Sequence, residues 1–164
     1  SSIKEKNNVK TFIINDTFNT FKGNLKLKVI DFYGKEIESD SLKIEVLENS
    51  SKEFHSFSMK NIDKKATVLI AEFNNKTSYF YFVKPKELIL PKNEIDKQII
   101  KLKNGFSIAL KSTVLQKDVF LFTNKKGRFS DNFFDLLPNE IKTIYFKTSA
   151  NSLDDLNLKT LNSI

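Results

Sequence analysis

Residues 24–47, NLKLKVIDFYGKEIESDSLKIEVL, contain two runs of alternating apolar and polar residues, and these runs decide the fold class. The first run, NLKLKVI at 24–30, has its leucines and its valine on one face and its lysines on the other. The second run, SLKIEVL at 41–47, repeats the pattern, and Gly34 lies between the two where the backbone must turn. Alternation with period two is typical of a strand with one buried face. The segment therefore predicts an antiparallel β-hairpin.

Similar patterns extend through the rest of the first half of the chain. The run ATVLIAEFN at 66–74 is apolar over most of its length and β-branched at its centre, which is typical of a central strand in a sandwich. Further strands are predicted at residues 11–16, 53–59 and 78–83. About seven strands in roughly 80 residues is the spacing of an immunoglobulin-like sandwich.

A second set of strands follows an interruption at residues 84–91, which begins with Lys84-Pro85 and ends at Pro91. Because proline cannot continue a central strand, this segment predicts a short linker. The later strands are predicted at residues 95–102, 105–110, 117–123 and 140–147. For residues 153–161 we favour a last short strand, and a helix is the alternative because the leucines also fit a helical face. We therefore predict an all-β chain of two tandem immunoglobulin-like antiparallel sandwiches, residues 1–87 and 88–164.

Composition narrows the range of functions. Cysteine is absent, which excludes disulfides and thiolate chemistry. The net charge is +7, but Arg128 is the single arginine among 27 basic residues, and the lysines are interspersed with acidic residues. Nucleic-acid recognition favours arginine, so we expect compositional drift of an AT-rich genome and no nucleic-acid partner. No apolar run approaches the ~18 residues of a membrane span, so no membrane partner is expected. The first residues, SSIKEKNNVK, lack the apolar stretch of a secretory signal.

Residues 127–140, GRFSDNFFDLLPNE, predict a strand, a tight corner and another strand. The Asp-Asn pair at 131–132 can accept hydrogen bonds from the backbone two residues on, as in an Asx turn. Phe133 or Phe134, with Leu136, is expected to anchor the corner in the core. The sequence PNE at 138–140 predicts a second turn, because proline presets φ and asparagine tolerates the left-handed region. The corner is assigned to four structural residues: Asp131, Asn132, Phe134 and Pro138.

This segment resembles the terminal immunoglobulin-like domain of β-mannosidases in glycoside hydrolase family 2. The family pattern G-x-F-S-D-N-x-F-x-L-x-P-x-E is matched at every fixed position from Gly127 to Glu140. Upstream, NTFKGNLKLKVIDFYGKEI at 19–37 is similar to the strand pair that opens the preceding sandwich domain. SYFYFVKPKELIL at 78–90 looks like the junction between the two domains. The resemblance extends from about residue 12 to residue 164.

The resemblance implies a non-catalytic accessory region of a β-mannosidase. The parent enzyme would remove terminal β-D-mannose residues from glycans by a retaining mechanism, and its catalytic glutamates would lie in a TIM barrel that 164 residues of β-structure cannot contain. The implied partners are the barrel and the N-terminal domains of the parent, with carbohydrate bound through the parent and no cofactor. For the parent we expect the bacterial periplasm or an exported location, with the cytoplasm as the alternative. The alternative functions are an autonomous carbohydrate-binding module and an immunoglobulin-like surface adhesin.

Several side chains resemble a catalytic or metal site at first sight. Asp131 and Asp135 could pass for the two carboxylates of a glycosidase, but their position among turn residues favours corner hydrogen bonds, so no catalytic residue is predicted. A calcium site that adds Asn132 to them would lack a complete ligand set, and no metal site is predicted. His55 is the single histidine, so neither a histidine metal site nor a triad can form, and we expect it to face solvent.

The 16 phenylalanines and four tyrosines are expected to lie mostly in the core. A carbohydrate-binding module needs an exposed aromatic stripe, which this tryptophan-free sequence barely offers. Tyr33, Tyr79 and Tyr81 are weak candidates for sugar contact. The asparagines of three glycosylation sequons, Asn15, Asn49 and Asn75, are interpreted as chance matches.

Overall fold

The computed structural model describes residues 2–5, 8–15, 18–58 and 62–163, without the side chains of residues 2–5, 8–11 and 52–58. Within these ranges the chain forms fourteen strands and two short 3-10 helices. It divides into two compact units, Ser1–Asp31 with Lys35–Ile89 and Phe32–Gly34 with Leu90–Ile164. No helix in the described part of the chain is long and apolar enough to cross a membrane.

The first unit contains two antiparallel sheets, one with the order β1-β2-β5 and one with the order β4-β3-β6-β7. Its strands are β1 (Ser2–Glu5), β2 (Asn8–Asn15), β3 (Phe21–Asp31), β4 (Glu36–Val46), β5 (Ser50–Ser58), β6 (Thr67–Phe73) and β7 (Lys76–Tyr81). The predicted hairpin is confirmed as β3 paired with β4, from Phe21 opposite Val46 to Ile30 opposite Glu36. Gly34 lies in its turn with φ of +88°, a conformation that glycine adopts without steric cost.

The alternation in β3 sorts its side chains between core and solvent. Leu25, Leu27 and Val29 are buried, and the lysines between them are exposed. Their cluster also contains Leu69 of β6, the strand between β3 and β7. The central position predicted for residues 66–74 is confirmed, because a strand paired on both edges is the one that can bury a continuous apolar run.

The second unit also contains two antiparallel sheets, with the orders β11-β13-β9-β8 and β12-β10-β14. Its strands are β8 (Asp96–Leu102), β9 (Gly105–Lys111), β10 (Gln116–Phe122), β11 (Arg128–Phe129), β12 (Phe134–Leu136), β13 (Ile141–Lys147) and β14 (Asn157–Lys159). Its core lies between the two sheets, where Ile108 and Ile144 face Val119 and Leu121. The fold class predicted from the sequence, two antiparallel β-sandwiches, is confirmed.

The structure refines the sequence prediction in the tail, in the linker and at the first strand. The tail forms a strand only at residues 157–159, and the favoured strand is confirmed there, before a 3-10 turn at Leu161–Ser163. In the predicted linker, Pro85–Glu87 forms another 3-10 turn, and the Ile89 N–H donates to the Lys65 carbonyl. Strand β1, at Ser2–Glu5, was not predicted, because four residues without an apolar alternation carry no periodic signal.

Candidate functional site

The corner at residues 130–140 is organised by the side chain of Asn132. Its Oδ1 accepts a hydrogen bond from the Leu121 N–H at 2.8 Å, and its Nδ2 donates to the Leu121 carbonyl at 2.9 Å. The amide therefore occupies the place of a paired strand residue beside β10. Leu121 is almost fully buried, so its backbone groups depend on this amide where water cannot replace it.

Asp131 has a different role from the one predicted. Its Oδ1 accepts from the N–H of the next residue, Asn132, at 2.8 Å, and its Oδ2 pairs with Lys142 Nζ at 2.8 Å. The expected bonds two residues along the chain do not form at Asp131 or at Asn132, whose Oδ1 accepts from the Phe133 N–H at 3.2 Å. The side chain of Asp131 is 47% exposed, and exposed ion pairs contribute little to stability.

Two adjacent phenylalanines separate at this corner. Phe134 and Leu136 are buried in the core of the second unit, which confirms them as anchors. Phe133 is 68% exposed and has φ of +58°, the left-handed region. The Lys142 ammonium lies 4.3 Å from the centroid of the Phe134 ring, so the lysine that pairs with Asp131 also covers this buried ring.

The second turn forms as the sequence predicts. The Glu140 N–H donates to the Leu137 carbonyl at 3.3 Å, and Asn139 has φ of +63°. Proline followed by a left-handed residue is the arrangement of a type II turn. The Asn139 N–H donates to the Ser112 carbonyl at 2.7 Å, which connects the turn to the segment between β9 and β10.

Three aspartates at or near the corner, Asp118, Asp131 and Asp135, are paired with lysines. Asp135 is nearly buried, and its Oδ1 accepts from Lys117 Nζ at 3.1 Å and from the Asp118 N–H at 3.0 Å. Lys117 Nζ also contacts Asp118 Oδ1 at 2.6 Å. Asp131 and Asp135 thus pair with different lysines. Within the described residues no group of three or more histidine or acidic side chains could hold a metal ion.

Lys117 stays positively charged in the cluster that it forms with Asp118 and Asp135. Burial lowers the pKa of Lys117, but the hydrogen bonds and charges of Asp118 and Asp135 together outweigh burial, so its pKa lies above the ordinary value of 10.5. The amine therefore stays protonated at neutral pH and cannot act there as a base or a nucleophile. The cluster lies where β10 is irregular, between Gln116 and Val119.

The raised pKa of Lys117 predicts a loss of stability at alkaline pH. A folded-state pKa above the unfolded value of 10.5 gives stability that is complete below that pH and is lost as the pH rises through the folded pKa. We expect the free energy of unfolding to fall more steeply above about pH 10.5 in the wild type than in Lys117→Met, in which this position does not titrate. Denaturant unfolding at several alkaline pH values measures both slopes. Lys117→Arg, which stays charged, serves as the control, and equal slopes in the wild type and Lys117→Met would contradict the prediction.

The three predicted sugar-contact tyrosines are distributed between the two units. Tyr33 is 67% exposed in the turn that belongs to the second unit. Tyr79 and Tyr81 are on one face of β7 in the first unit, opposite Ile70 and Val68 of β6. Tyr79 is 36% exposed and Tyr81 is half-buried, so only part of either ring is accessible.

Two further predictions concern single side chains. His55 is in β5, opposite Thr11, but its side chain lies outside the described residues. Asn15 of the first sequon is buried, and its Nδ2 donates to the carbonyls of Asn19, Val46 and Leu47. A glycan cannot be attached to a buried nitrogen that is used in this way.

Comparison with known families matches each sandwich separately. Residues 7–87 match the model of the mannosidase Ig/CBM-like domain. Residues 90–164 match the model of an Ig-fold domain found in mannosidases. The comparison with curated protein sequences gives no match.

Solved structures share the fold of both units together. A β-D-mannosidase from Dictyoglomus thermophilum is 20% identical with a TM-score of 0.76, and the match covers 98% of this chain and 21% of that one. The exo-chitosanase CsxA from Amycolatopsis orientalis is 12% identical with a TM-score of 0.59, over 93% of this chain and 24% of that one. A structure of the exo-β-D-glucosaminidase CsxA with an inhibitor is 13% identical with a TM-score of 0.58, over 94% and 24%. This chain therefore spans about a fifth to a quarter of the length of these glycosidases.

Proposed function

Since the chain belongs to the immunoglobulin-like domains of glycoside hydrolase family 2 mannosidases, we propose that it is the non-catalytic accessory region of a β-mannosidase. The parent enzyme would hydrolyse terminal β-D-mannose residues of glycans with retention. Its acid/base and nucleophile would lie in a barrel domain elsewhere in the polypeptide. The partners of this chain are then the barrel and the N-terminal domains of the same enzyme.

The order of the two sandwiches carries this proposal. A domain of the mannosidase Ig/CBM-like type is followed, three residues after its end, by an Ig-fold domain of the mannosidase type. The same pair of folds is present in the mannosidase structure, where the match covers nearly all of this chain. A single sandwich of this kind would fit many unrelated proteins, because the fold by itself does not determine function.

The acidic residues of the second unit support a non-catalytic role. A retaining glycosidase needs two carboxyl groups about 5–5.5 Å apart, one of which holds a proton. Asp135 is paired with Lys117, and Asp131 is paired with Lys142. The interactions of both residues maintain the corner and the strand β10, so we assign these carboxylates to structure.

We expect the purified 164-residue chain to leave an aryl β-D-mannoside intact, whereas the complete parent polypeptide hydrolyses it. The reason is that Asp131 and Asp135 are both paired with lysines, and that 164 residues of β-structure cannot contain the barrel that would position a catalytic pair. Release of the chromogenic phenol from the two preparations is the measurement. Turnover by the chain that disappears when Asp131 or Asp135 is replaced by asparagine would overturn the proposal. A complete polypeptide that turns over a different glycoside but no mannoside would refute the mannosidase assignment alone.

A further inference from the structure

Three phenylalanine rings form a stack on the outer side of the second unit. Phe120 and Phe122 alternate along β10 with the buried residues Val119 and Leu121, so their rings point away from the core. The centroids of Phe120 and Phe122 are 5.8 Å apart with planes 17° from parallel. The ring of Phe133 lies 4.5 Å from that of Phe120, with an angle of 20°. We call Phe120, Phe122 and Phe133 the phenylalanine stack.

The backbone is strained at Phe133, one of the three residues of the phenylalanine stack. Six described non-glycine residues have positive φ, and four of them are asparagines, which tolerate this region. The other two are Phe133, at +58°, and Asp118, at +51° in the irregular part of β10. A bulky aromatic residue is costly in this conformation, and such strain is concentrated at functional sites. Core packing does not explain it here, because the Phe133 ring is 68% exposed.

Hydrogen-bond donors and acceptors both lie near the phenylalanine stack. Lys159 of β14 is opposite Phe120, and its ammonium lies 5.5 Å from the centroid of the Phe122 ring. Asn157 is opposite Phe122 and is exposed. Asp118 precedes Phe120 by two residues, and its side chain is 43% exposed. An ammonium and an amide of β14 therefore border the stack, and a carboxylate lies two residues before Phe120 on β10.

We propose that the phenylalanine stack binds a pyranose ring of a neutral glycan. Because the rings stack face to face, the outer face of Phe133, the most exposed ring, is the one open to a ligand. The C–H groups on one face of a pyranose carry partial positive charge and would pack on this negative ring face. The hydroxyl groups at the sugar's rim both donate and accept, and they can hydrogen-bond to Asp118, Asn157 and Lys159. This adds ligand binding to the second unit, beyond the structural role proposed above, and it does not depend on catalysis by a parent enzyme.

The surroundings favour a sugar over other ligands that stack on aromatic rings. A nucleic acid would bring phosphates close to Asp118 and Asp135, and Lys117 is already paired with both carboxylates. A stable protein interface buries about 800 Å² on each partner, and three rings bordered by charged groups offer a much smaller apolar surface. A neutral, hydroxyl-rich ring fits both the size and the mixed charge of the site.

Calorimetric titration of the 164-residue chain with β-1,4-linked mannohexaose and cellohexaose tests the proposal. We expect at least one of them to bind, and Phe133→Ala to weaken that binding roughly tenfold, as the loss of one stacking contact does. Phe133→Trp should preserve the affinity, because the larger ring keeps the stacking surface. Tyr145→Ala is the matched control, since Tyr145 is also an exposed aromatic side chain (55%) but belongs to β13 in the other sheet of the same unit.

Several results would overturn the proposal. The first is that neither oligosaccharide binds. The second is that Phe133→Ala leaves the binding unchanged, and the third is that Tyr145→Ala removes it. Binding of single-stranded DNA in place of sugar would identify the stack as a platform for bases, and self-association abolished by Phe133→Ala would identify it as a contact between copies. Thermal melting of each variant checks the fold, and Phe122→Leu takes the place of Phe133→Ala if that variant fails to fold. Failure of the aryl mannoside assay on the parent polypeptide would leave this proposal standing.

Discussion

Replacement of Phe134 by alanine is expected to lower the free energy of unfolding of the second unit by about 3–5 kcal/mol. The ring is buried in the cluster that contains Leu136 and Ile144, and the Lys142 ammonium covers its outer side. Truncation removes apolar burial and leaves a cavity between two sheets that are held apart by other side chains. A loss of this size is a large part of the stability of a small domain.

Native-state hydrogen exchange of amides in β9 and β13 measures this loss within the second unit. The control is Phe133→Ala, one residue earlier, where the ring is 68% exposed. We expect that variant to change stability by less than about 1 kcal/mol, because it loses only a surface ring contact. Equal losses of stability in the two variants would contradict the structure, in which Phe134 is buried and Phe133 is exposed.

Replacement of Asn132 by alanine is expected to cost about 2–4 kcal/mol, because two buried backbone groups lose their partners at once. The Leu121 N–H and carbonyl are both bound to this amide, and each buried polar group left unpaired costs about 1–3 kcal/mol. Asn132→Asp should cost less than the alanine variant, since a carboxylate still accepts from the N–H but cannot donate to the carbonyl.

Asp131→Ala provides the comparison for this effect. Its ion pair with Lys142 is exposed, and it accepts one backbone hydrogen bond, so we expect a loss of no more than about 1 kcal/mol. Denaturant unfolding of the three variants beside the wild type measures the order. If Asp131→Ala destabilises the chain more than Asn132→Ala does, the corner depends on the aspartate and our assignment of roles is wrong.

Sequence reasoning about the corner succeeded at its second turn, whereas the Asx turn expected at Asp131 and Asn132 does not form. The type II turn at Pro138-Asn139 follows from the φ preferences of its own residues. The role of Asn132 did not follow in the same way, because its partner, Leu121, is eleven residues earlier and lies on another strand. The sequence shows an Asp-Asn pair that suits a turn, but it does not show which of the two side chains faces a neighbouring strand.

The aromatic residues also show that the sequence does not reveal contacts between distant residues. The sequence offered tyrosines as weak candidates for sugar contact, because such sites stack a sugar on an exposed aromatic ring and the chain has no tryptophan. The stack in the structure consists of phenylalanines, of which Phe133 is the exposed one, and it forms because Phe133 from the corner reaches Phe120 on β10. The alternation in β10 contained a signal, since Phe120 and Phe122 must face away from Val119 and Leu121. No such pattern indicated that the Phe133 ring would join them.

The sequence by itself determined the all-β class, the two sandwiches and the strands longer than about five residues, because period-two alternation assigns each side chain to a buried or an exposed face. It also determined the family, through the residues from Gly127 to Glu140. Only the tertiary structure decided the pairing of Lys117 with Asp135, the use of the Asn132 amide as a strand partner and the exposure of Phe133. Each of these depends on which distant residues the sheets bring together, and burial then makes the resulting contacts strong. Local propensity carries no information about such contacts.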